Sequence, residues 1–198
     1  MRHNRRMPAS AYSVSSQRGN GRLLACGALV LAWALSGSIV SAQTFVEYQH
    51  IFGEGPAYPT LDAQIEIPQG PVNFYGWFLA SDGWGEGEVG VSKLIRPWFW
   101  AAVAAGIETD ESPARINIPM WIAKGRFFTF FVNEYGGSGY WYKVTSTALI
   151  APRTEVGVIS QTDYGTGPLV QLSLGRGFRF WGSFVEGPKS LVGILRTF

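Results

Sequence analysis

The residue types that could do chemistry in this chain are few. It holds two histidines and one cysteine in 198 residues, and His50 is the only histidine outside the basic N-terminal stretch. No second histidine or cysteine stands at ligand spacing from it, so a zinc site of the usual nitrogen and sulfur type is excluded. A serine–histidine–acid arrangement would have to use His50, with Ser81-Asp82 at the same expected end of the strands. Gln49-His50 closes an alternating segment, where a histidine is ordinarily a solvated loop residue. The chain is therefore expected not to be an enzyme, the alternative being a membrane-embedded lipid-modifying enzyme. Glu86 and Glu88, two apart on a strand, share a face and could help hold a cation with the nearby loop; Asp110/Glu111 is the other acidic pair. An acidic, solvated rim accounts for both pairs. Gly85-Glu86-Gly87-Glu88 and Gly136-Gly137-Ser138-Gly139 have no helix behind them and read as turns, not phosphate loops. No catalytic, cofactor-binding or metal residue is assigned.

The elements that carry these residues all have period two. Leu61, Ala63, Ile65 and Ile67 alternate with Asp62, Gln64 and Glu66; Ile116, Ile118, Met120 and Ile122 alternate with Arg115, Asn117, Pro119 and Trp121. Val170, Leu172 and Leu174 alternate with Gln171 and Ser173, and Phe178 and Phe180 stand opposite Arg179 and Trp181. Such alternation marks strands with one apolar face. Turn residues divide the chain into about twelve segments: 44–52, 60–68, 71–81, 86–95, 98–108, 114–123, 126–135, 139–149, 153–163, 168–175, 177–186 and 190–198. Most approach the 9–11 residues that a tilted strand needs to cross a bilayer. The connections alternate between short, often basic turns, as at Arg96-Pro97 and Lys124-Gly125, and longer acidic loops, as at 82–85, 109–113, 136–138 and 164–167. An even strand count places both ends at the short-turn rim.

Residues 1–42 stand apart. Arg2, Arg5, Arg6, Arg18 and Arg22 precede the apolar run Leu23–Leu35, and Val40-Ser41-Ala42 offers small residues for cleavage, the pattern of a secretory signal. Cleavage after Ala42 discards Cys26 and leaves 43–198 as one domain without cysteine. Five of the 16 basic residues and none of the 14 acidic ones lie in 1–42, which leaves 11 against 14, a net charge of −3. The mature chain is thus no nucleic-acid binder on charge.

Alternating strands suit two architectures: a soluble barrel with its apolar face inward, or a membrane barrel with that face in lipid. Three features favour the membrane. The apolar faces at 61–67, 116–122 and 170–174 carry no charge. Aromatic residues crowd near segment ends: Trp84, Trp98, Trp100, Phe127, Phe128, Tyr140, Trp141, Tyr142, Phe178 and Phe180. The last strand, Leu191 to Phe198, ends on a phenylalanine. Lys93, on the Val89-Val91-Ile95 face, sits near the short-turn rim, where it can snorkel.

With that last strand the exported chain resembles outer-membrane β-barrel proteins of Gram-negative bacteria, apart from Arg196 at a place that is usually apolar or aromatic in that class. The resemblance implies an all-β fold, a single antiparallel up-and-down transmembrane barrel of about 12 strands, with 10 or 8 as alternatives. It implies the cell outer membrane as location, contact with outer-membrane lipid, and recognition of the strand ending in Phe198 by the barrel-assembly machinery.

In such a barrel Asp62, Gln64, Glu66, Glu88, Arg115, Asn117, Lys143, Glu155, Gln171 and Arg179 face the lumen. Both signs are present, so the charges must be paired or hydrated. A hydrated lumen makes a channel for small polar or charged solutes. A lumen plugged by ion pairs, with Trp77, Trp121 and Trp181 as filling, makes a non-conducting structural or binding barrel. A secreted soluble barrel of lipocalin type is the remaining alternative. No cofactor is expected.

Overall fold

A computed structural model describes residues 44–53 and 58–198. The signal-peptide reading, Cys26 and most of the first long loop lie outside the described residues. Twelve antiparallel strands follow in order: β1 (Phe45–Phe52), β2 (Tyr58–Pro68), β3 (Asn73–Ser81), β4 (Trp84–Arg96), β5 (Phe99–Glu108), β6 in two segments (Ala114–Asn117 and Met120–Lys124), β7 (Phe127–Gly136), β8 (Gly139–Ala151), β9 (Thr154–Gln161), β10 (Gly165–Gly175), β11 (Phe178–Phe184) and β12 (Ser190–Thr197). Each pairs with its sequence neighbours, and β12 returns to β1 with Phe45 opposite Thr197 and Phe52 opposite Ser190. Closure leaves no sheet edge, which a strand protein in lipid requires.

The break in β6 falls at Ile118-Pro119 because proline has no N–H for the ladder. Its neighbours bridge the gap: Ile118 N donates to Asn133 O at 2.8 Å, and Ala102 N donates to Pro119 O at 2.9 Å.

One rim differs from the sequence reading. The connections expected to be longer at 82–85, 136–138 and 164–167 are tight turns, with only 82–83 between β3 and β4 and 137–138 between β7 and β8. Gly83 and Gly139 take positive φ (74° and 103°), which lets the strands run on to the turn. At 109–113 the connection is five residues long as expected, and at 185–189 it is also five, longer than the 187–189 expected, because β11 ends at Phe184.

The apolar faces point outward. Val89, Val103, Ile107, Val170 and Phe180 are all exposed, Ile107 at 66%. Glu47, Gln49, Gln64, Glu66, Trp77 and Trp181 point inward. This is the arrangement of a membrane barrel and the inverse of a lipocalin-type barrel. Four of the rim aromatics depart from a girdle: Trp100 is fully buried, and Trp84, Phe128 and Trp141 line the interior. Strand parity decides this, since each shares a face with the inward residues of its strand. Trp98, Phe127, Tyr140 and Phe178 are exposed near strand ends, as interfacial rings are. Arg196, on the outward face, has its guanidinium 5.1 and 4.5 Å from the centres of the Phe178 and Phe198 rings, so its charge is held against two aromatic faces near the rim.

Close strand contact inside the wall depends on glycine. Gly90 and Gly106, on the paired β4 and β5, each lie against the other strand's backbone, and a Cβ at either would collide with a carbonyl. Gly193 is covered by the ring of Trp181, its partner in register on β11.

Candidate functional site: a charged and divided lumen

Three charged groups occupy the interior, each assembled from several strands. Arg115 on β6 points inward among acids from β4, β5 and β7. Its Nε is 2.8 Å from Glu86 Oε2, its Nη1 2.5 Å from Glu108 Oε2 and its Nη2 2.7 Å from Glu134 Oε2. Nη1 also donates to Ser138 Oγ at 2.9 Å, and the Trp84 ring lies 5.6 Å from the guanidinium. A planar fork of donors suits this crowd of carboxylates better than an ammonium would. Asn117, one inward position further along, donates to Glu134 Oε1 at 3.2 Å.

Lys143 on β8 forms the second group. Its Nζ is 2.8 Å from Glu47 Oε2 and 3.6 Å from Asp62 Oδ2, and it donates to Gln49 Oε1 at 3.3 Å. Its ammonium lies 5.7 Å from the Trp181 ring. The third group centres on Glu66, which accepts from Asn73 Nδ2 at 2.6 Å, from Trp100 Nε1 at 3.0 Å and from the Ser92 hydroxyl.

Of the ten residues expected in the lumen, Asp62, Gln64, Glu66, Glu88, Arg115, Asn117 and Lys143 are buried inside. Glu155, Gln171 and Arg179 are half-buried and line a cavity. Arg115 and Asn117 meet at Glu134, Lys143 meets Asp62, and Glu155 accepts from Thr147 at 2.6 Å. The structure corrects the reading of the Glu86/Glu88 pair as a solvated rim and agrees with the lumen placement of Glu88: both are 3% exposed, because β4 begins at Trp84 and carries them inside the barrel. Sequence reasoning missed Glu47, Glu86, Glu108 and Glu134 as interior acids. The signal was present, since each lies at an even spacing from an inward neighbour such as Gln49, Ala104 or Val132.

His50 points outward. Its Nδ1 is 3.3 Å from the Tyr48 hydroxyl and its ring lies 4.4 Å from that of Phe52, while Ser81 bonds to Thr60 and Pro59. The two residues considered for nucleophilic chemistry are not brought together.

Two cavities divide the lumen. One of about 400 Å³ lies toward the short-turn rim, lined by Phe45, Trp121, Phe128 and Phe130 with Glu155, Gln171 and Arg179. The other, about 460 Å³, lies toward the opposite rim, lined by Trp84, Arg115, Ser138, Tyr140 and Asp163. They share no lining residue. Gln49, Asp62 and Val132 line neither cavity and, with Lys143, fill the level between. Among the described residues, seven buried carboxylates (Glu47, Asp62, Glu66, Glu86, Glu88, Glu108, Glu134) face two buried cations, Arg115 and Lys143. The buried interior thus carries an excess of five formal negative charges.

No family model matches the chain, and no curated protein matches it in sequence. Solved structures do resemble it in fold. The KdgM porin superposes with a TM-score of 0.56 at 10% identity, over 78% of this chain and 99% of that one. A protein solved in work on in-meso crystallization of membrane proteins gives 0.54 at 11% identity, over 78% and 83%. The NanC porin gives 0.48 at 9% identity, over 78% and 98%. The chain has the fold of outer-membrane β-barrel proteins: all-β, closed and antiparallel, with twelve strands.

Proposed function

We propose that this chain is an outer-membrane channel for small solutes, selective for cations, with its narrow level at the Lys143 layer. The observation that carries the reading is the acidic interior, with cavities reaching toward opposite rims and only side chains between them. Excess fixed charge of one sign in a confined lumen concentrates ions of the other sign. That the KdgM neighbour is a porin agrees with this use of the fold. Export through a signal peptide cleaved after Ala42, and assembly through the strand ending in Phe198, belong to the same proposal. N-terminal sequencing of the membrane-extracted protein tests the cleavage.

The main test is current across planar bilayers under a salt gradient. The proposal expects steady conductance with a reversal potential on the cation side; a reversal potential on the anion side would sink the selectivity. A second reading, a non-conducting structural or binding barrel, is favoured by the separation of the two cavities and by the buried indoles of Trp77, Trp100 and Trp181. It expects no steady current. Fractionation with heat-modifiable migration in detergent gels tests the location, and a protein soluble without detergent would refute it.

A further inference from the structure

Glu88 is 3% exposed, and neither of its carboxylate oxygens accepts a hydrogen bond among the described residues. Its acidic neighbours are held. Glu86 accepts from Trp77 Nε1 at 3.0 Å and pairs with Arg115, and Glu134 pairs with Arg115 and accepts from Asn117. One oxygen from each of Glu86, Glu88 and Glu134 lies within 4.8 Å of the other two. That span accommodates oxygens facing one another across a hard cation at about 2.3–2.6 Å. Four acids, including Glu108, crowd around one guanidinium, so the cluster retains negative charge that Arg115 does not answer.

Two neutral groups point independently to a missing ligand. Asn117 Oδ1 and Tyr75 Oη are fully buried, and neither has a hydrogen-bond partner among the described residues. Asn117 is fixed at the cluster by its amide bond to Glu134, and it approaches Glu88 without completing a hydrogen bond. The Tyr75 hydroxyl lies in the field of Glu86, Glu88 and Glu134. Buried polar atoms ordinarily find partners, and here unmatched oxygens belong to the acidic cluster and to two residues that interact with it.

We propose that Glu86, Glu88 and Glu134, with the neutral oxygens of Asn117 and Tyr75, form a binding site for a hard divalent cation, with Ca²⁺ as the fitting ion. The donors are all oxygen, which suits Ca²⁺ over zinc or copper. Glu134 also lines the cavity toward the longer-loop rim, which provides an entry path. The site lies on the lumen side of the barrel wall and does not depend on whether the barrel conducts.

Calorimetric titration of the purified barrel in detergent with CaCl₂ tests it. The expected result is one saturable site, with an unfolding midpoint raised by the ion. Glu88→Gln should lose that binding, and Glu111→Gln, in the exposed loop, should keep it. The site is overturned if the unaltered protein shows no saturable binding, or if Glu88→Gln binds as tightly as it does. Loss of binding in Glu111→Gln with retention in Glu88→Gln would place the ion at the rim and overturn it equally. Should Glu88→Gln fail to fold, Tyr75→Phe decides: binding weaker by about tenfold supports the site, and unchanged binding overturns it.

Discussion

Lys143 on β8 and Glu47 on β1 meet across the lumen, Nζ 2.8 Å from Oε2, with four strands of wall between them on the shorter way round. The tie narrows the lumen at the inner end of the short-turn-side cavity, which both residues line, and Asp62 and Gln49 complete that level. Lys143→Met removes the positive charge and leaves Glu47 and Asp62 unanswered. Single-channel current should rise, and the reversal potential should move further to the cation side. A current equal to that of the unaltered protein would show that flow is limited elsewhere.

Arg115 is held by three carboxylates, so its loss should be felt by the whole barrel. Removing one partner of a buried ion pair costs about 3–5 kcal/mol, because the remaining charges stay buried. Arg115→Gln should lower the temperature at which the folded form converts to the unfolded form on detergent gels. Arg179→Gln, at a half-buried position in the other cavity, should change that temperature little.

The ring of Trp181 occupies the space that a side chain at Gly193 would need. Gly193→Ala should push the indole away and break its 2.6 Å bond to Glu47 Oε1. Overpacking of this kind costs about 1–3 kcal/mol. The urea midpoint of folding into lipid vesicles should fall accordingly, and an unchanged midpoint would show that the ring moves freely.

Neighbouring residues on β10 provide a test of which face meets lipid. Val170 is 49% exposed on the outward face, while Gln171 lines the cavity. Arginine near the bilayer midplane costs about 2–4 kcal/mol on the lipid face. Val170→Arg should therefore weaken vesicle folding by that amount, and Gln171→Arg should weaken it less. Equal effects would contradict the outward assignment.

Strand positions and faces were legible because period-two alternation is a local property. Leu61 to Ile67 and Val170 to Leu174 announce their orientation without reference to any partner. What was illegible depends on closure. Glu47 and Lys143 are 96 residues apart, and only the curvature of the wall brings them together. Glu86 beside turn glycines read as solvated although its strand neighbour Glu88 was expected in the lumen, because the sequence did not show that β4 starts at Trp84. The split at Pro119 was similarly hidden, since alternation continues through a residue that cannot donate to the ladder.

Three inward indoles, Trp77, Trp100 and Trp181, each donate their ring N–H to an acid: Glu86, Glu66 and Glu47 respectively. Indole emission responds to charge and hydrogen bonding at that nitrogen. The barrel therefore carries its own chromophores, each coupled to one of the three charged groups of its interior. Single Trp→Phe replacements would assign the spectral components, and a change of ion or pH inside the lumen would be visible as light without an attached label.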